Sequence, residues 1–192
     1  MPVTTIDRQT ALIVIDLQKG IVAIPLAHPA DTVIGRSRAL LDAFRARSLP
    51  VVLVNVTGVS PGRTEENRQW GDLPDGWAQL IPALGQQAGD HVVTKRTRGA
   101  FTGTGLDDYL KGRGVTQVVI AGIATSSGVE STARQAYECG FHVSLATDAM
   151  TDRDLAAHEH SLMRIFPRLG ETGTSAEIIA LLPAAITPSG QA

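Results

Sequence analysis

Short apolar runs that each end in a polar group constrain this chain more than any other feature. They are Ala11-Leu-Ile-Val-Ile-Asp16, Val92-Val-Thr-Lys95, and Val118-Val-Ile-Ala-Gly-Ile-Ala124 running on through Thr125-Ser-Ser-Gly128 to Glu130. Runs of this length, apolar on both faces, read as buried parallel strands, and the segments between them carry helical spacing. Between Val33 and Arg47, for example, Val33, Leu40, Leu41 and Phe44 share roughly one face, with Asp31-Thr32 as a helix cap. The β-α alternation predicts an α/β fold: an open, mostly parallel sheet of five to six strands with helices on both faces, a Rossmann-like three-layer arrangement. Ligands of such sheets bind at the carboxyl ends of the strands, which is where Asp16 and Lys95 fall.

The remaining elements follow from the same patterns. Strands are expected at Thr10–Asp16, Pro50–Val56, His91–Thr94, Gln117–Ala121 and Phe141–Thr147, with a short edge strand at Glu171–Gly173. Helices are expected at Thr104–Arg113 closed by Gly114, at Ser126–Glu138, at Asp152–Phe166, and from a Thr174 or Ser175 cap through Leu182. From Thr57 to Gly89 the pattern dissolves into Gly, Pro and charged residues around Trp70 and Trp77, and this segment is read as a lid or substrate loop. Residues 1–192 are thus expected to form one domain with its core at about 10–182 and a tail at 183–192.

Composition narrows the function. With 43% hydrophobic residues, 19% charged residues and a net charge of -2, the chain lacks the basic surplus that drives nucleic-acid or membrane-surface binding. Aromatic residues make up 4%, too few for a base-stacking platform, so a small molecule is the expected ligand. No apolar run approaches the roughly 20 residues of a bilayer span and no secretory h-region follows the start, so a cytoplasmic location is expected. The one cysteine, Cys139, excludes an internal disulfide and any multi-cysteine metal site.

The motifs Ile15-Asp16-Leu17-Gln18, Lys95 with Gly99-Ala100-Phe101, and Gly122-Ile-Ala-Thr125 before Val129-Glu-Ser-Thr-Ala133 give the chain a resemblance to the isochorismatase-like hydrolase superfamily, over about Thr10 to Leu182. The resemblance implies a paired aspartate and lysine, Asp16 and Lys95. In most members these serve a nucleophilic cysteine on the turn after the fourth strand. Gly128 stands at that position, so no thioester can form there. Cys139 lies eleven residues further on, or ~16 Å along a helix, and reads as a small buried residue at a helix end. The metal-binding Asp-x-His element of nicotinamidases is replaced by Val56-Thr57-Gly58, so neither a metal nor a cofactor is expected.

Isochorismatases resemble the chain in having glycine at the cysteine position. Their chemistry needs a general acid: protonating the terminal carbon of a vinyl ether gives an oxocarbenium ion that water captures. By that resemblance Asp16 is the acid, Lys95 anchors a substrate carboxylate, and the backbone N–H groups of Ala124 and Gly128 bind an anionic oxygen. The resemblance also places a non-proline cis peptide at Ile123-Ala124. Gln18 is open to two roles, in the pocket or on backbone. Phe101 reads as packing ahead of substrate contact, and Trp70 and Trp77 either cover a cyclic substrate or pin the long segment to the body.

A rival reading takes Ala124-Thr-Ser126-Ser-Gly128 as a near match to a nucleophile elbow, with Asp148 and His158 following in order. His158 falls inside an expected helix, against that reading, and His158 and His160 face different sides, against a metal pair. Ser127 is expected to cap or to hydrogen-bond. The leading expectation is an isochorismatase-like hydrolase of a small anionic vinyl ether, assembled as a homodimer or higher homo-oligomer. The alternatives are hydrolysis of a small amide or imide by water activated at Asp16, and a catalytically silent binding protein.

Overall fold

The computed structural model describes residues 2–65 and 72–184. Strands β1 (Thr10–Ile15), β2 (Val51–Val56), β3 (His91–Lys95), β4 (Gln117–Ile123), β5 (His142–Thr151) and β6 (Glu171–Gly173) form one sheet in the order β3-β2-β1-β4-β5-β6, every pair parallel. The chain builds outward from β1 to β3, then returns to place β4 on the other side of β1. That reversal places the topological switch point between the carboxyl ends of β1 and β4, where binding sites of doubly wound sheets form.

Side chains alternate across each strand and sort into two cores. Leu12, Val14 and Leu53 meet Leu40, Leu41 and Phe44 of α2 (Ala30–Arg45, following the short α1 at Lys19–Val22) together with Ile178 of α6 (Ser175–Leu181). On the other face Ile13, Val52 and Val118 meet Leu106 and Leu110 of α3 (Leu106–Gly112) and Ala133 and Ala136 of α4 (Glu130–Glu138). The expected three-layer α/β fold is present, with six strands.

Several boundaries differ from the sequence expectation for local reasons. Helix α2 starts at Ala30 rather than after an Asp31-Thr32 cap: Pro29 holds the cap position and Asp31 lies in the first turn, where a carboxylate suits the helix dipole. Strand β5 runs to Thr151 instead of stopping at Thr147, because a bulge slips its register from Ile120↔Leu145 to Gly122↔Met150 and lets the polar stretch keep pairing with β4. The helix expected from Asp152 begins at Leu155 (α5, Leu155–His160), capped by Asp154, and continues as a wider turn over Ser161–Ile165. Thr174 caps α6 in a reciprocal capping box with Glu177. Within the long 57–89 segment, Ile81 and Leu84 are buried around a short turn at Pro82–Leu84.

Candidate active site

Asp16 directly follows β1. Its N–H donates to Val54 O at 2.9 Å, continuing the β1–β2 ladder, and its own carbonyl accepts from Gln18 N. Its φ of 51 lies in the left-handed region, which aspartate tolerates better than most residues, and the turn ends the strand there. Lys95 ends β3 opposite Val56 of β2, so a full strand separates it from β1, a span of roughly 10 Å at normal strand spacing. Its four-carbon stem covers that gap. Nζ donates to Asp16 Oδ2 at 2.7 Å and to Thr97 O at 3.2 Å, with Asp16 5% and Lys95 2% exposed.

The turn after β4 closes the site from the other side. Gly122 has φ 117, and a Cβ there would overlap the Ile15 carbonyl, so only glycine lets β4 run this close to the end of β1. The Ile123–Ala124 peptide is cis, followed by a wide helical turn, Thr125–Val129, that leads into α4. A Cβ built on Gly128 would lie 3.2 Å from Asp16 Oδ2 and 2.9 Å from Ile15 Cγ2. Any side chain at residue 128 therefore projects onto the carboxylate.

Two residues that sequence reasoning missed hold these parts together. Thr132 donates to Gly128 O at 2.7 Å and accepts Ala100 N–H at 3.1 Å, while Gln135 Oε1 accepts Phe101 N–H at 3.0 Å. The loop after Lys95 is thus latched to α4. The four-residue spacing from Gly128 to Thr132, which lets a threonine bond back to a carbonyl one turn earlier, was the available signal.

Burial dominates the electrostatics of Asp16. Desolvation pushes its carboxyl up and the Lys95 ammonium pulls it part of the way back, leaving its pKa at about 6. Oδ2 is taken by Lys95, whereas Oδ1 is buried and meets no donor among the described residues. The site therefore offers a carboxyl that holds or releases a proton near neutrality, an adjacent cation, and a backbone turn that brings residue 128, without a side chain, against the carboxyl.

The Isochorismatase domain model matches residues 10–177. The chain belongs to the isochorismatase family of hydrolases. It is 42% identical to the uncharacterized isochorismatase family protein YwoC of Bacillus subtilis over 90% of this chain and 93% of that one. It is 32% identical to Nicotinamidase 3 of Arabidopsis thaliana, over 83% and 81%. The solved structure of an isochorismatase family protein from Burkholderia thailandensis superposes with a TM-score of 0.89 at 41% identity, covering 93% of this chain and 97% of that one.

Other residues singled out as isochorismatase-family site candidates are placed as follows. Gln18 is fully buried and turned onto backbone: Nε2 donates to Val56 O and Trp77 O, and Oε1 accepts Val56 N–H at 2.7 Å. Ala124 is half-buried at the start of the turn. Phe101 packs against Phe141, ring centroids 6.0 Å apart. Trp77 lies over Gly20, and its carbonyl accepts Gly20 N–H at 2.9 Å, so it ties the long segment to α1. Trp77 also lines a groove of about 440 Å³ with Asn55, Thr57 and Pro74, which includes none of Asp16, Lys95 or Gly128. Asn55 alternates with Leu53 toward the α2 face, whereas Lys95 follows Val93 on the α4 face. Trp70 lies outside the described residues.

The elbow-type triad does not assemble. Ser126 gives its N–H and O–H to Asp152 Oδ2, Asp148 accepts from Ser175, and His158 Nδ1 pairs with Thr125 Oγ at 2.8 Å. The turn and α4 have no side-chain cap, so of the two roles expected of Ser127, capping or hydrogen bonding, it does not cap. Cys139 sits at the end of α4 as expected but is half-buried rather than buried, one side packed on the core, and its thiol is pushed up mainly by desolvation. Among the described residues no three His, Cys, Asp or Glu side chains group as metal ligands, and no helix is long and apolar enough to cross a membrane.

Proposed function

We propose that this family member hydrolyses a small anionic vinyl ether such as isochorismate without a covalent intermediate, with Asp16 as general acid and base, Lys95 as its electrostatic partner, and Gly128 leaving room for substrate. The observation that carries this reading is the state of the Asp16 carboxyl: one oxygen on Lys95, the other buried without a donor, and a pKa of about 6. A carboxyl poised there keeps a usable protonated fraction near neutrality and is still acidic enough to give the proton up.

In the proposed reaction the Asp16 proton goes to the terminal vinyl carbon and the ether oxygen shares the resulting positive charge. Water adds to the oxocarbenium carbon and returns a proton to the Asp16 carboxylate. The hemiketal then breaks its C–O bond to release a ketone and an alcohol, so one water is consumed and the enzyme ends as it began. The developing cation gains from the Asp16 carboxylate beneath it, while Lys95 and the Ala124–Gly128 turn suit the carboxylate of an anionic substrate.

A second reading has a specific observation in its favour. The similarity to Nicotinamidase 3 points toward small amides, and with Gly128 in the cysteine position Asp16 would act as a base on water. The two readings differ in substrate and in the protonation state they need. Steady-state hydrolysis of isochorismate beside a panel of small carboxamides, in wild type and Asp16→Asn, decides between them. Turnover confined to isochorismate and lost in Asp16→Asn is the expected result. Carboxamide turnover without isochorismate turnover selects the second reading, and ligand binding with no turnover selects a silent binding protein.

A further inference from the structure

The turn between Ala124 and Gly128 is gripped from behind by a polar cluster that the reaction does not use. Thr125 is fully buried, and its hydroxyl pairs with Nδ1 of His158, a residue 6% exposed on α5. The next residue, Ser126, is held through N–H and O–H by Asp152, whose other oxygen accepts Arg153 N–H. His28, from the loop before α2, sets its ring 4.9 Å from that of His158 and bonds Thr151 Oγ at 2.9 Å through Nδ1. Two segments thus hold two successive residues of one turn, and a third, carrying His28, backs the His158 ring without touching the turn itself.

We propose that His158 is a positioning residue for the active site: through Thr125 it sets the orientation of the 124–128 turn, and with it the Ala124 and Gly128 N–H groups that face the substrate's anionic oxygen. Its catalytic consequence rests on the function proposed above, whereas the mechanical coupling does not. Thr125 Oγ has no other partner among the described residues, so we assign its proton to the bond toward Nδ1 and the ring proton to Nε2, which leaves the buried Thr125 hydroxyl proton paired. Protonating His158 makes Nδ1 a donor, so the Thr125 hydroxyl must turn around and release its own proton from that partner. The contact survives with its direction reversed, but the buried Thr125 proton must find a new acceptor within the turn, and the turn backbone shifts to supply one. Burial and the His28 ring both keep His158 on the neutral side, holding its pKa below the usual histidine range. Asp152 at the end of β5 and Glu159 on α5 act in the opposite sense, and Glu130 of α4 is taken up by Ser161 and Arg134.

The coupling is testable without any substrate. In ¹⁵N-labelled protein carrying Asp16→Asn, which removes the carboxyl's own titration, the Gly128 amide and the His158 ring are followed by NMR from about pH 8 downward. The Gly128 amide is expected to move with the same midpoint as His158, to lose that movement in Thr125→Val, and to keep it in Thr125→Ser. A Gly128 amide that stays still while His158 titrates, or that moves equally in Thr125→Val, overturns the proposal. If acid unfolding comes before His158 titrates, His158→Asn at pH 7 replaces the titration, and an unshifted Gly128 amide again overturns it. In protein with Asp16 intact, Thr125→Val is expected to lower kcat/KM for isochorismate by roughly 10- to 100-fold, through kcat, with Thr125→Ser near wild type. Absence of isochorismate turnover in wild type would remove the proposed reaction and leave the amide coupling to be judged on its own.

Discussion

Lys95 Nζ lies 2.7 Å from Asp16 Oδ2 although β2 stands between the strands that carry the two residues. The pair is nearly inaccessible to water, so neither group can be made safe by solvation, and Lys95 controls the charge Asp16 can hold. Burial has already drawn Asp16 toward the neutral acid, and Lys95 is what keeps its pKa from rising further.

Lys95→Met therefore has a signed consequence. Removing the ammonium takes away the influence that lowers the Asp16 pKa, so the proton should be held to higher pH and the midpoint of any Asp16-dependent rate should move above about 6. The loss of folding stability should fall short of the roughly 3–5 kcal/mol that follows from stranding a buried charge, because Asp16 can neutralise itself. A pH–rate profile and urea denaturation of the variant at pH 5 and 8 measure both. A midpoint that stays put or falls would show that Lys95 does not control Asp16.

Gly122→Ala tests the close approach of β4 to β1. The added methyl meets the Ile15 carbonyl oxygen, which is backbone and cannot rotate away, and alanine resists φ 117. Urea denaturation should show a loss of about 3 kcal/mol or more. A change below about 1 kcal/mol would mean that the strand ends yield far more easily than their geometry implies.

Much of this site was legible because a parallel sheet puts chemistry at the end of an apolar run. Asp16 and Lys95 are polar groups closing such runs, and nothing beyond the runs was needed to set them on one edge of the sheet. Gln18 was left open between pocket and backbone, since an amide next to a strand end suits either, and only the position of Val56 shows it bonding backbone. The extension of β5 to Thr151 was hidden because Thr147-Asp-Ala-Met-Thr151 has no strand alternation and depends on a bulge. The His158–Thr125 contact joins residues 33 apart through two elements whose relative placement no local pattern encodes.

Gly128→Cys asks what the glycine is for. Gly128 is not in a left-handed conformation, and the nearest obstacle to a side chain is the Ile15 Cγ2 methyl at 2.9 Å, which belongs to a buried strand residue and must move aside. The variant should fold with a stability cost of about 1 kcal/mol and place a thiol beside Asp16 and Lys95. Under the vinyl-ether reading its isochorismate turnover should fall, because the new side chain occupies the space over the carboxyl. If wild type turns over nothing and the variant gains carboxamide hydrolysis, the chain is a silenced cysteine hydrolase.

The pH dependence of the wild type separates acid from base chemistry most directly. If Asp16 works as an acid, kcat/KM should be flat below about pH 6 and fall tenfold per pH unit above it, since that ratio reports the free enzyme. If Asp16 works as a base on water, the same midpoint should appear with the opposite slope. Folding stability supplies an independent check of the pKa. Asp16 binds its proton more tightly folded than at the unfolded value of 3.8, so its contribution is full below 3.8 and is lost as pH rises through about 6. The stability of wild type minus that of Asp16→Asn should therefore decline between pH 4 and 7, by on the order of 3 kcal/mol. Taking the difference cancels His158, whose lowered pKa works the other way and costs stability as pH falls below 6.5. A difference that stays level across this range, together with a rate that has no inflection near 6, would mean that Asp16 does not exchange a proton there, and neither the acid nor the base mechanism could then stand.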